Sequence, residues 1–500
     1  MRAYLGIDVG TFESKGVLVD ADGAIIASAA RPHQMIVPRP GFAEHRPCED
    51  WWDDFTWISR KLLADSKLAA TSVKAVGASG IGPCMLPVDA DGEPLMNAVL
   101  YGIDTRSSRE ILDLTAEIGA EIILEHCGNA LTSQSVGPKI LWLRRNRPEI
   151  FARTHKILTS TSFLVHRLSG TFVIDHYTAA NSSPLYLAEE RNWSASLAPD
   201  IVDIDRLPGL AWTTDIAGVV TPRAAEETGL AAGTPVIAGT VDAAAEAISV
   251  GALEAGDMML MYGSTIFTIM ITPSRIRDAR LWSAPWLFAH QHACMAGLAT
   301  SGTLTHWFRE QLARDLDPAT AMAALAAEAE LSPPGANGLV FLPYFSGERT
   351  PIHDPQAKGA LFGLNLTHRR SDIFRALLEG IAYGTNHVID TYVEAGQEPR
   401  AILAVGGGVR NRGWIQATSD VSGRRQTLRE KTVGASYGDA FLAALAIGEV
   451  RPETIKAWNP VTSEVAPDAA NAEVYRRQYG VFRELYPRTR DLMAQLGESP

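Results

Sequence analysis

One pattern occurs twice in this chain and limits the folds that are open to it. Near the start, an apolar run is followed by the turn Gly10-Thr11 and by a second apolar run that ends at Asp20. Residues 258–272 repeat this order, with Gly263-Ser264-Thr265 between MMLMY and IFTIMIT. Apolar runs joined by short turns with glycine are typical of β-hairpins. The repetition predicts a duplicated chain, each half opening with a hairpin whose tip carries glycine and hydroxyl groups.

Between the two hairpins, helical and strand patterns alternate. Apolar residues recur at helical spacing over residues 49–65, and a buried strand is predicted at 73–79. A helix is predicted near 138–146, and a strand at 235–238 leads through Gly239-Thr240 into a helix of small residues. A chain of 500 residues is long enough for two large domains. We therefore expect an α/β protein with domains at residues 1–248 and 249–500.

Charge and composition exclude several classes of protein. The net charge is −12, and no run of five like charges occurs, which disfavours nucleic-acid binding. No stretch of 18 apolar residues is present, so no membrane partner is expected. The four cysteines lie far apart without a CxxC pair, which disfavours a disulfide framework or a thiolate zinc site. We expect a cytoplasmic protein.

The tip of the first hairpin combines groups that bind phosphate and magnesium. Asp8 supplies a carboxylate, Gly10 exposes backbone N–H groups, Thr11 supplies a hydroxyl and Lys15 supplies a cation. An ordinary Asp/Gly hairpin turn would explain the same residues. The companion tip at Gly263-Ser264-Thr265 favours phosphate binding, because two facing tips can hold one phosphate chain between them.

Asp242 lies where a predicted strand meets the start of a helix. A carboxylate there is most often a helix cap. The alternative is a catalytic base aimed at an acceptor hydroxyl. In a loose phosphoryl-transfer transition state the hydroxyl proton leaves late, so an aspartate with an ordinary low pKa could serve through its position.

Two further clusters contain residue types that can bind a ligand. Gly406-Gly407-Gly408 follows a predicted strand and precedes a helix, which indicates either a nucleotide contact or a crowded turn. Neither GxGxxG nor GxxxxGK[ST] occurs in the chain, so a Rossmann site and a Walker loop are not supported. His290, His292 and Cys294 lack a fourth metal ligand at a recognised spacing, which favours a structural role.

Together these motifs resemble the FGGY carbohydrate kinases, a branch of the actin- and hexokinase-like ATPases, over almost the whole chain. The matching segments are GIDVGTFESKG at 6–16, GFAEH at 41–45 with Trp51-Trp52, SGERTP at 346–351, DP at 354–355, AKG at 357–359, LEG at 378–380 and the triple glycine with Asn411. The resemblance implies two ribonuclease-H-like (actin-like ATPase) domains with an interdomain active-site cleft. The first domain would bind the sugar and the second the nucleotide.

The resemblance also implies roles for individual residues, with ATP and Mg²⁺ as cofactors and a homodimer as a possible assembly. Asp242 would be the catalytic base, and Asp8 and Asp242 would hold Mg²⁺. The residues expected to bind nucleotide and phosphate are Gly10, Thr11, Lys15, Gly263, Ser264, Thr265, Gly302, Thr303, Gly407, Gly408 and Asn411. The residues expected to bind the sugar are Glu44, Ile81, Pro83, Asp104, Arg106 and Asp242.

The sugar side departs from the patterns of the family. Members that phosphorylate xylulose typically carry Gly-Gln-Met-His-Gly after the strand that here ends at Ser79, whereas this chain has GIGPC at 80–84. The Arg-Glu pair that glycerol kinases typically carry in this region is absent from it as well. Because recognition of hydroxyls depends on matched hydrogen bonds, these changes should alter selectivity. We expect a ketose, such as a ketopentose, or a polyol as the acceptor.

Two other classes of function remain open at this point. A catalytically silent sensor could use the same clamp for ATP and sugar, although the presence of Asp8 and Asp242 argues against it. A chaperone-type ATPase would need a substrate-binding domain, and the roughly fifty residues after Gly448 are too few for one. They are predicted to form a terminal helix.

Overall fold

Two mixed sheets form the framework of the protein, whose computed structural model describes residues 1–497. In chain order, the strands are β1 (Ala3–Val9), β2 (Glu13–Asp20), β3 (Ile25–Pro32), β4 (Glu44–His45), β5 (Val73–Gly80), β6 (Leu86–Val88), β7 (Ala98–Val99), β8 (Lys156–Leu158), β9 (Val173–Asp175), β10 (Tyr186–Leu187), β11 (Asn192–Trp193), β12 (Gly209–Ala211), β13 (Ile216–Val219), β14 (Pro235–Ile237), β15 (Thr240–Val241), β16 (Asp257–Tyr262), β17 (Ile266–Thr272), β18 (Trp282–Pro285), β19 (His292–Leu298), β20 (Val340–Leu342), β21 (Ala360–Phe362), β22 (Ala401–Val405), β23 (Gln426–Arg429) and β24 (Val461–Val465).

Helices cover the faces of both sheets and fill the connections between strands. They are α1 (Asp53–Ser66), α2 (Ser108–Ile118), α3 (Ala120–Cys127), α4 (Val136–Asn146), α5 (Pro148–Arg153), α6 (Ser160–Ser169), α7 (His176–Ala179), α8 (Pro222–Thr228), α9 (Asp242–Ser249), α10 (Gly302–Leu312), α11 (Ala321–Glu330), α12 (Arg370–Glu394), α13 (Arg412–Ser422), α14 (Ala435–Ala446), α15 (Ile455–Trp458) and α16 (Ala472–Gly497). A π-helical turn at Pro47–Trp52 precedes α1.

The two sheets have the same topology, which confirms the predicted duplication. The first sheet has the order β13-β14-β5-β1-β2-β3, and the second contains the equivalent order β24-β23-β22-β16-β17-β19, followed by β18. In each, three antiparallel strands continue into two parallel ones, and an antiparallel strand closes the far side. This is the expected pair of ribonuclease-H-like sheets. Its parallel strands end at one edge, where ligand sites of such sheets form.

Helix α14 belongs to the second half of the chain but packs against the first sheet. Tyr437 and Phe441 of α14 share a buried apolar cluster with Tyr4 and Val17. A Cβ added to Gly6 of β1 would lie 1.9 Å from a backbone oxygen of α14, so only glycine permits this approach. The chain therefore crosses between the two halves after residue 430, and the boundary at residue 248 stays a prediction.

None of the helices in the described part of the chain has the length and apolarity needed to cross a bilayer.

Candidate active site

The tip of the first hairpin places the predicted phosphate-binding groups together. Asp8 on β1 lies opposite Lys15 on β2, and the N–H of Gly10 donates to the Glu13 carbonyl oxygen at 3.1 Å. A Cβ on Gly10 would lie 2.8 Å from that oxygen, so the tight turn requires glycine. The Thr11 hydroxyl lies 3.2 Å from the hydroxyl of Tyr101, a residue that the sequence analysis did not identify.

Two histidines whose side chains are nearly inaccessible to solvent support the backbone of this hairpin tip. His33 Nε2 lies 3.0 Å from the Gly10 carbonyl oxygen, and His45 Nε2 lies 3.1 Å from the Thr11 carbonyl oxygen. Trp51 Nε1 donates to His45 Nδ1 at 3.0 Å, so the proton of a neutral His45 sits on Nε2 and is donated to Thr11. Burial lowers the pKa of His45 to about 4, which keeps the ring neutral.

The tip of the second hairpin rests on the start of α10. The N–H groups of Gly302 and Thr303 donate to the carbonyl oxygens of Gly263 and Ser264 at 3.1 and 3.3 Å. A Cβ on Gly302 would lie 2.5 Å from the Gly263 oxygen, so this contact requires glycine. The predicted residues Gly263, Ser264, Thr265, Gly302 and Thr303 therefore form one compact turn.

A cavity of about 630 Å³ joins this turn to the triple-glycine loop. Asn411 caps α13 by accepting a hydrogen bond from the Trp414 N–H at 3.1 Å. A Cβ on Gly407 would meet no atom within 4 Å, so its backbone faces open space. The cavity is lined by Tyr262, Gly263, Ser264, Gly302, Thr305, His306, Met322, Ala323, Ala326, Gly407, Gly408, Arg410, Asn411 and Trp414. Six of the predicted nucleotide-binding residues thus share one cavity, and α11 supplies a wall that no sequence motif marked.

Asp242, the first residue of α9, borders a smaller cavity of about 90 Å³ between the two sheets. Its Oδ1 accepts a hydrogen bond from the Ala243 N–H at 2.7 Å, which orients the carboxylate. The cavity is lined by Gly82, Pro83, Asn129, Ala130, Thr132, Gln134, Ser135, Tyr177, Ala180, Asn181, Ser183, Val241, Asp242, Ala243, Phe267, Trp282 and Met295. Asp242 is the one carboxylate among these described lining residues, and none of them is a lysine, arginine or histidine.

Two amides in this cavity keep polar atoms available for a ligand. Gln134 accepts from the Gly102 N–H through Oε1 at 3.1 Å, which leaves its amide nitrogen for an acceptor group. The Asn181 amide nitrogen donates to the Thr178 carbonyl oxygen at 3.3 Å, which leaves its carbonyl oxygen. Neither amide was predicted from the sequence as a binding residue. For Gln134, the polar run NALTSQS at 129–135, which joins two helices, was the available signal, because loops often carry binding residues.

Carboxyl groups lie close together in the cleft, and the charge of Asp8 raises the pKa values of the others. Burial raises the pKa of Asp242 above its usual range, and the charge of Asp8 raises it further. Burial also raises the pKa of Asp8, against the lowering effects of Ser79 and Lys15. Glu246, one turn after Asp242 on α9, has its pKa raised to about 7 by burial and by Asp8. The expectation of an ordinary low pKa for Asp242 is therefore wrong, because the cleft is buried and already negative.

This negative cleft suits a divalent cation that keeps water and phosphate ligands. Asp8 and Asp242 come from different elements, and their unfavourable interaction would be relieved by positive charge between them. In residues 1–497, no group of three or more His, Cys, Asp and Glu side chains could hold a metal alone. Mg²⁺ typically uses one or two carboxylates together with water and substrate phosphates, so the residues fit that ion.

The two predicted sugar contacts at 81 and 83 separate in the structure. Pro83 lines the cavity at Asp242, as expected for a substrate contact. Ile81 is only 1% exposed and lies in the apolar core beneath the first sheet. The backbone bends between the two positions, so the side chain of Ile81 enters the core while Pro83 faces the cavity. The structure does not bring Ile81 to the cavity at Asp242.

Glu44, Asp104 and Arg106 also lie outside the cavity at Asp242. Arg106 is 1% exposed in its side chain, and it pairs with Asp104 at 2.7 Å and with Glu44 at 2.8 Å. Its guanidinium group stacks over Phe42 and Trp142. Asp104 accepts the Ala43 N–H at 2.7 Å. These groups are already satisfied by one another, and in the structure they hold the loop that carries Tyr101.

The negative charge of the cleft should lower the stability of the folded protein. Because the pKa of Glu246 is higher in the folded protein than its usual value of 4.5, the folded state binds more protons and loses stability as pH rises from about 5 to 8. Replacing Glu246 with glutamine should raise the free energy of unfolding at pH 8 by about 1 kcal/mol and leave it unchanged at pH 5. Thermal unfolding at both pH values, without Mg²⁺ or nucleotide, measures this difference.

The matched control is Glu330→Gln, since Glu330 is exposed at the end of α11 and has no ion pair in the described structure. That variant should show no pH-dependent gain. An equal gain in both variants would mean that surface charge, not the cleft, sets the effect.

Comparison with known proteins agrees with this geometry. Residues 3–249 match the N-terminal domain, and residues 258–447 the C-terminal domain, of the FGGY family of carbohydrate kinases. The chain is 31% identical to xylulose kinase of Escherichia coli over 98% of this chain and 100% of that protein. It is 28% identical to xylulose kinase of Bacillus subtilis over 99% of both chains. The crystal structure of xylulose kinase from Rhodospirillum rubrum superimposes with a TM-score of 0.92, at 30% identity over 98% of this chain and 100% of that one.

These matches span both sheets, both hairpin tips and both cavities. The chain therefore belongs to the FGGY family of carbohydrate kinases and is an ATP-dependent sugar kinase.

Proposed function

We propose that this kinase transfers the γ-phosphate of ATP to a hydroxyl group of a ketopentose such as xylulose, or of a related ketose or polyol. The observation that carries the proposal is the position of Asp242 in a small cavity whose other described lining residues are uncharged. An anionic acceptor would find no cation there. The amides of Gln134 and Asn181 suit hydroxyl groups, and Phe267 and Trp282 suit the apolar C–H face of a sugar. The xylulose kinases among its relatives support this class of acceptor.

In this proposal Asp242 is the catalytic base. Its carboxylate is oriented by the Ala243 N–H and receives the acceptor proton late in a loose transition state. Its raised pKa makes it a better proton acceptor than an ordinary aspartate once it is ionised.

The remaining binding roles follow from the placement of the two hairpins. Gly10, Thr11 and Lys15 would contact the phosphates from the first domain, and Ser264, Thr265 and Thr303 from the second. Gly407, Gly408 and Asn411 would contact adenosine in the 630 Å³ cavity. Asp8 and Asp242 would hold Mg²⁺, which supplies positive charge to the β- and γ-phosphate oxygens when it is bound.

The setting and assembly of the enzyme are also part of the proposal. All four cysteines are free thiols, which supports a reducing compartment such as the cytoplasm. Homodimerisation stays a prediction that light scattering of the purified protein tests. The sensor alternative has no support among the relatives, which are named as kinases.

A coupled ADP-release assay with ATP and Mg²⁺ tests the acceptor. We expect one ketopentose, ketohexose or polyol to give kcat/KM at least tenfold above the rest of a panel, and the sugar acid gluconate to give none. Gluconate is the control because it has a similar size and hydroxyl pattern but carries a charge. Strong activity with gluconate, or none with any neutral acceptor, would contradict the proposal.

A further inference from the structure

Asp439 is a buried carboxyl group that the proposed mechanism does not use. It lies on α14, whose backbone presses on the first sheet: a Cβ on Gly77 of β5 would be 2.3 Å from the Asp439 carbonyl oxygen. The residue is 0% exposed, and it forms no ion pair in residues 1–497. One of its carboxyl oxygens, Oδ1, has no hydrogen-bond partner there. Buried carboxyl oxygens without a hydrogen-bond partner are rare in folded proteins, so the position of Asp439 needs an explanation.

The other oxygen of Asp439 belongs to a short hydrogen-bond chain that ends at Asp8. Ser79 Oγ lies 2.7 Å from Asp439 Oδ2 and 3.1 Å from Asp8 Oδ1. A serine hydroxyl has one proton and can donate it to only one of two carboxyl groups. Hydrogen bonds at both contacts therefore require that one of the two carboxyl groups carries a proton and donates it to Ser79.

The surroundings decide which carboxyl group carries that proton. Asp8 is partly exposed and lies opposite Lys15 on the neighbouring strand, so water and a cation can stabilise its charge. Asp439 faces Ser79 and Asp8 from the sheet and Asp242 from α9, with no cation in contact. Burial raises the pKa of Asp439 well above its usual range, and the charges of Asp8 and Asp242 raise it further. Asp439 is thus the acid of the pair.

We propose that Asp439 is a positioning residue: as a neutral carboxylic acid it donates to Ser79, which turns the Ser79 proton toward Asp8. Asp8 Oδ1 is then held by Ser79, which leaves Asp8 Oδ2 for the cation. The inference rests on the proposed role of Asp8 in binding Mg²⁺. It makes α14, a helix of the second half of the chain, a support for a carboxylate of the first domain.

The direction of the hydrogen bonds from Asp439 through Ser79 to Asp8 can be tested with two variants at position 439. Asp439→Asn keeps a neutral N–H donor toward Ser79, so Mg²⁺ dependence and kcat should stay within about threefold of the wild type. Asp439→Leu has a similar size but no donor. It should raise the Mg²⁺ concentration for half-maximal activity about tenfold and lower kcat, with little change in the KM for sugar. The proposal would be overturned if Asp439→Asn lost as much Mg²⁺ affinity and kcat as Asp439→Leu. It would also be overturned if both variants behaved like the wild type.

Ser79→Ala is the second variant if Asp439→Leu does not fold, because it breaks the same chain with a smaller change. It should show the same loss of Mg²⁺ affinity. Ser436→Ala is the matched control: Ser436 lies one turn earlier on α14 and has a buried hydroxyl without a partner in the described structure. That variant should match the wild type. A loss equal to that of Asp439→Leu would mean that any change on this helix face moves the helix, and the proposal would fail.

Calorimetry of ADP binding at several Mg²⁺ concentrations separates this inference from the proposed function. It reports on Asp8 and Mg²⁺ without any sugar. If no neutral acceptor is phosphorylated but Asp439→Leu, unlike Asp439→Asn, still weakens Mg²⁺-dependent ADP binding about tenfold, the acceptor assignment has failed and the role of Asp439 stands. If the acceptor is phosphorylated and ADP binding is equal in all variants, the role of Asp439 has failed.

Discussion

Replacing Asp242 with asparagine is expected to lower kcat by roughly 10²–10⁴-fold, the usual contribution of a general base. Asparagine has the same shape and can still accept the Ala243 N–H through its oxygen, so the helix start and the cavity should be preserved. It cannot take the proton of the acceptor hydroxyl. Affinity for ATP measured without Mg²⁺ should change little, because the adenosine cavity lies at α11 and α13 and does not include Asp242.

Steady-state ADP release and calorimetric nucleotide binding measure the two parts of this result. Glu246→Gln is the matched control, since it makes the same carboxyl-to-amide change one turn further along α9. It should keep kcat within a few-fold of the wild type. If Asp242→Asn retained more than a tenth of the wild-type kcat, Asp242 would not be the base.

Replacing Gly438 with alanine is expected to cause the largest loss of stability. Gly438 lies where α14 crosses α9, and a Cβ there would be 1.9 Å from the carbonyl oxygen of Ala245 and 2.7 Å from its carbon. Both obstacles are backbone atoms, so the two helices would have to separate. Overpacking of this kind costs about 3 kcal/mol. Because α9 carries Asp242 and α14 carries Asp439, activity should fall as well.

Gly480→Ala provides the opposite case in the same protein. Gly480 lies inside α16 and has no atom within 4 Å of an added Cβ. The same substitution should there stabilise the protein by about 0.5–1 kcal/mol, because alanine loses less backbone entropy in a helix. Thermal unfolding of the two variants side by side measures both effects. Equal stability of Gly438→Ala and the wild type would show that the helices move apart without cost.

The local parts of the site follow from the order of residues along the chain. Both hairpins, the strand before Asp242 and the loop at Gly407 are each specified by neighbours within about ten residues, through apolar alternation and turn-forming glycine. For that reason the sequence predicts the two sheets and places Asp8 and Asp242 at strand ends.

The sugar side could not be predicted in the same way. Glu44, Asp104 and Arg106 carry the charges expected of a binding site, yet they satisfy one another in a buried cluster. Residues 81 and 83 are two positions apart, but one side chain enters the core and the other the cavity. The type of a residue determines which bonds its side chain can form, but the packing of the chain determines which partners that side chain meets.

The sequence by itself determined a duplicated α/β chain, two glycine-bearing hairpin tips and the carboxylates of a phosphoryl-transfer site. Only the tertiary structure decided that Asp439 meets Ser79, 360 positions earlier in the chain, and that α14 packs on the sheet of the other half. The physical reason is that hairpins and helix starts are set by local backbone preferences, whereas these contacts form when whole sheets and helices bury their apolar faces. The acceptor cavity, which takes residues from both halves, belongs to that second kind.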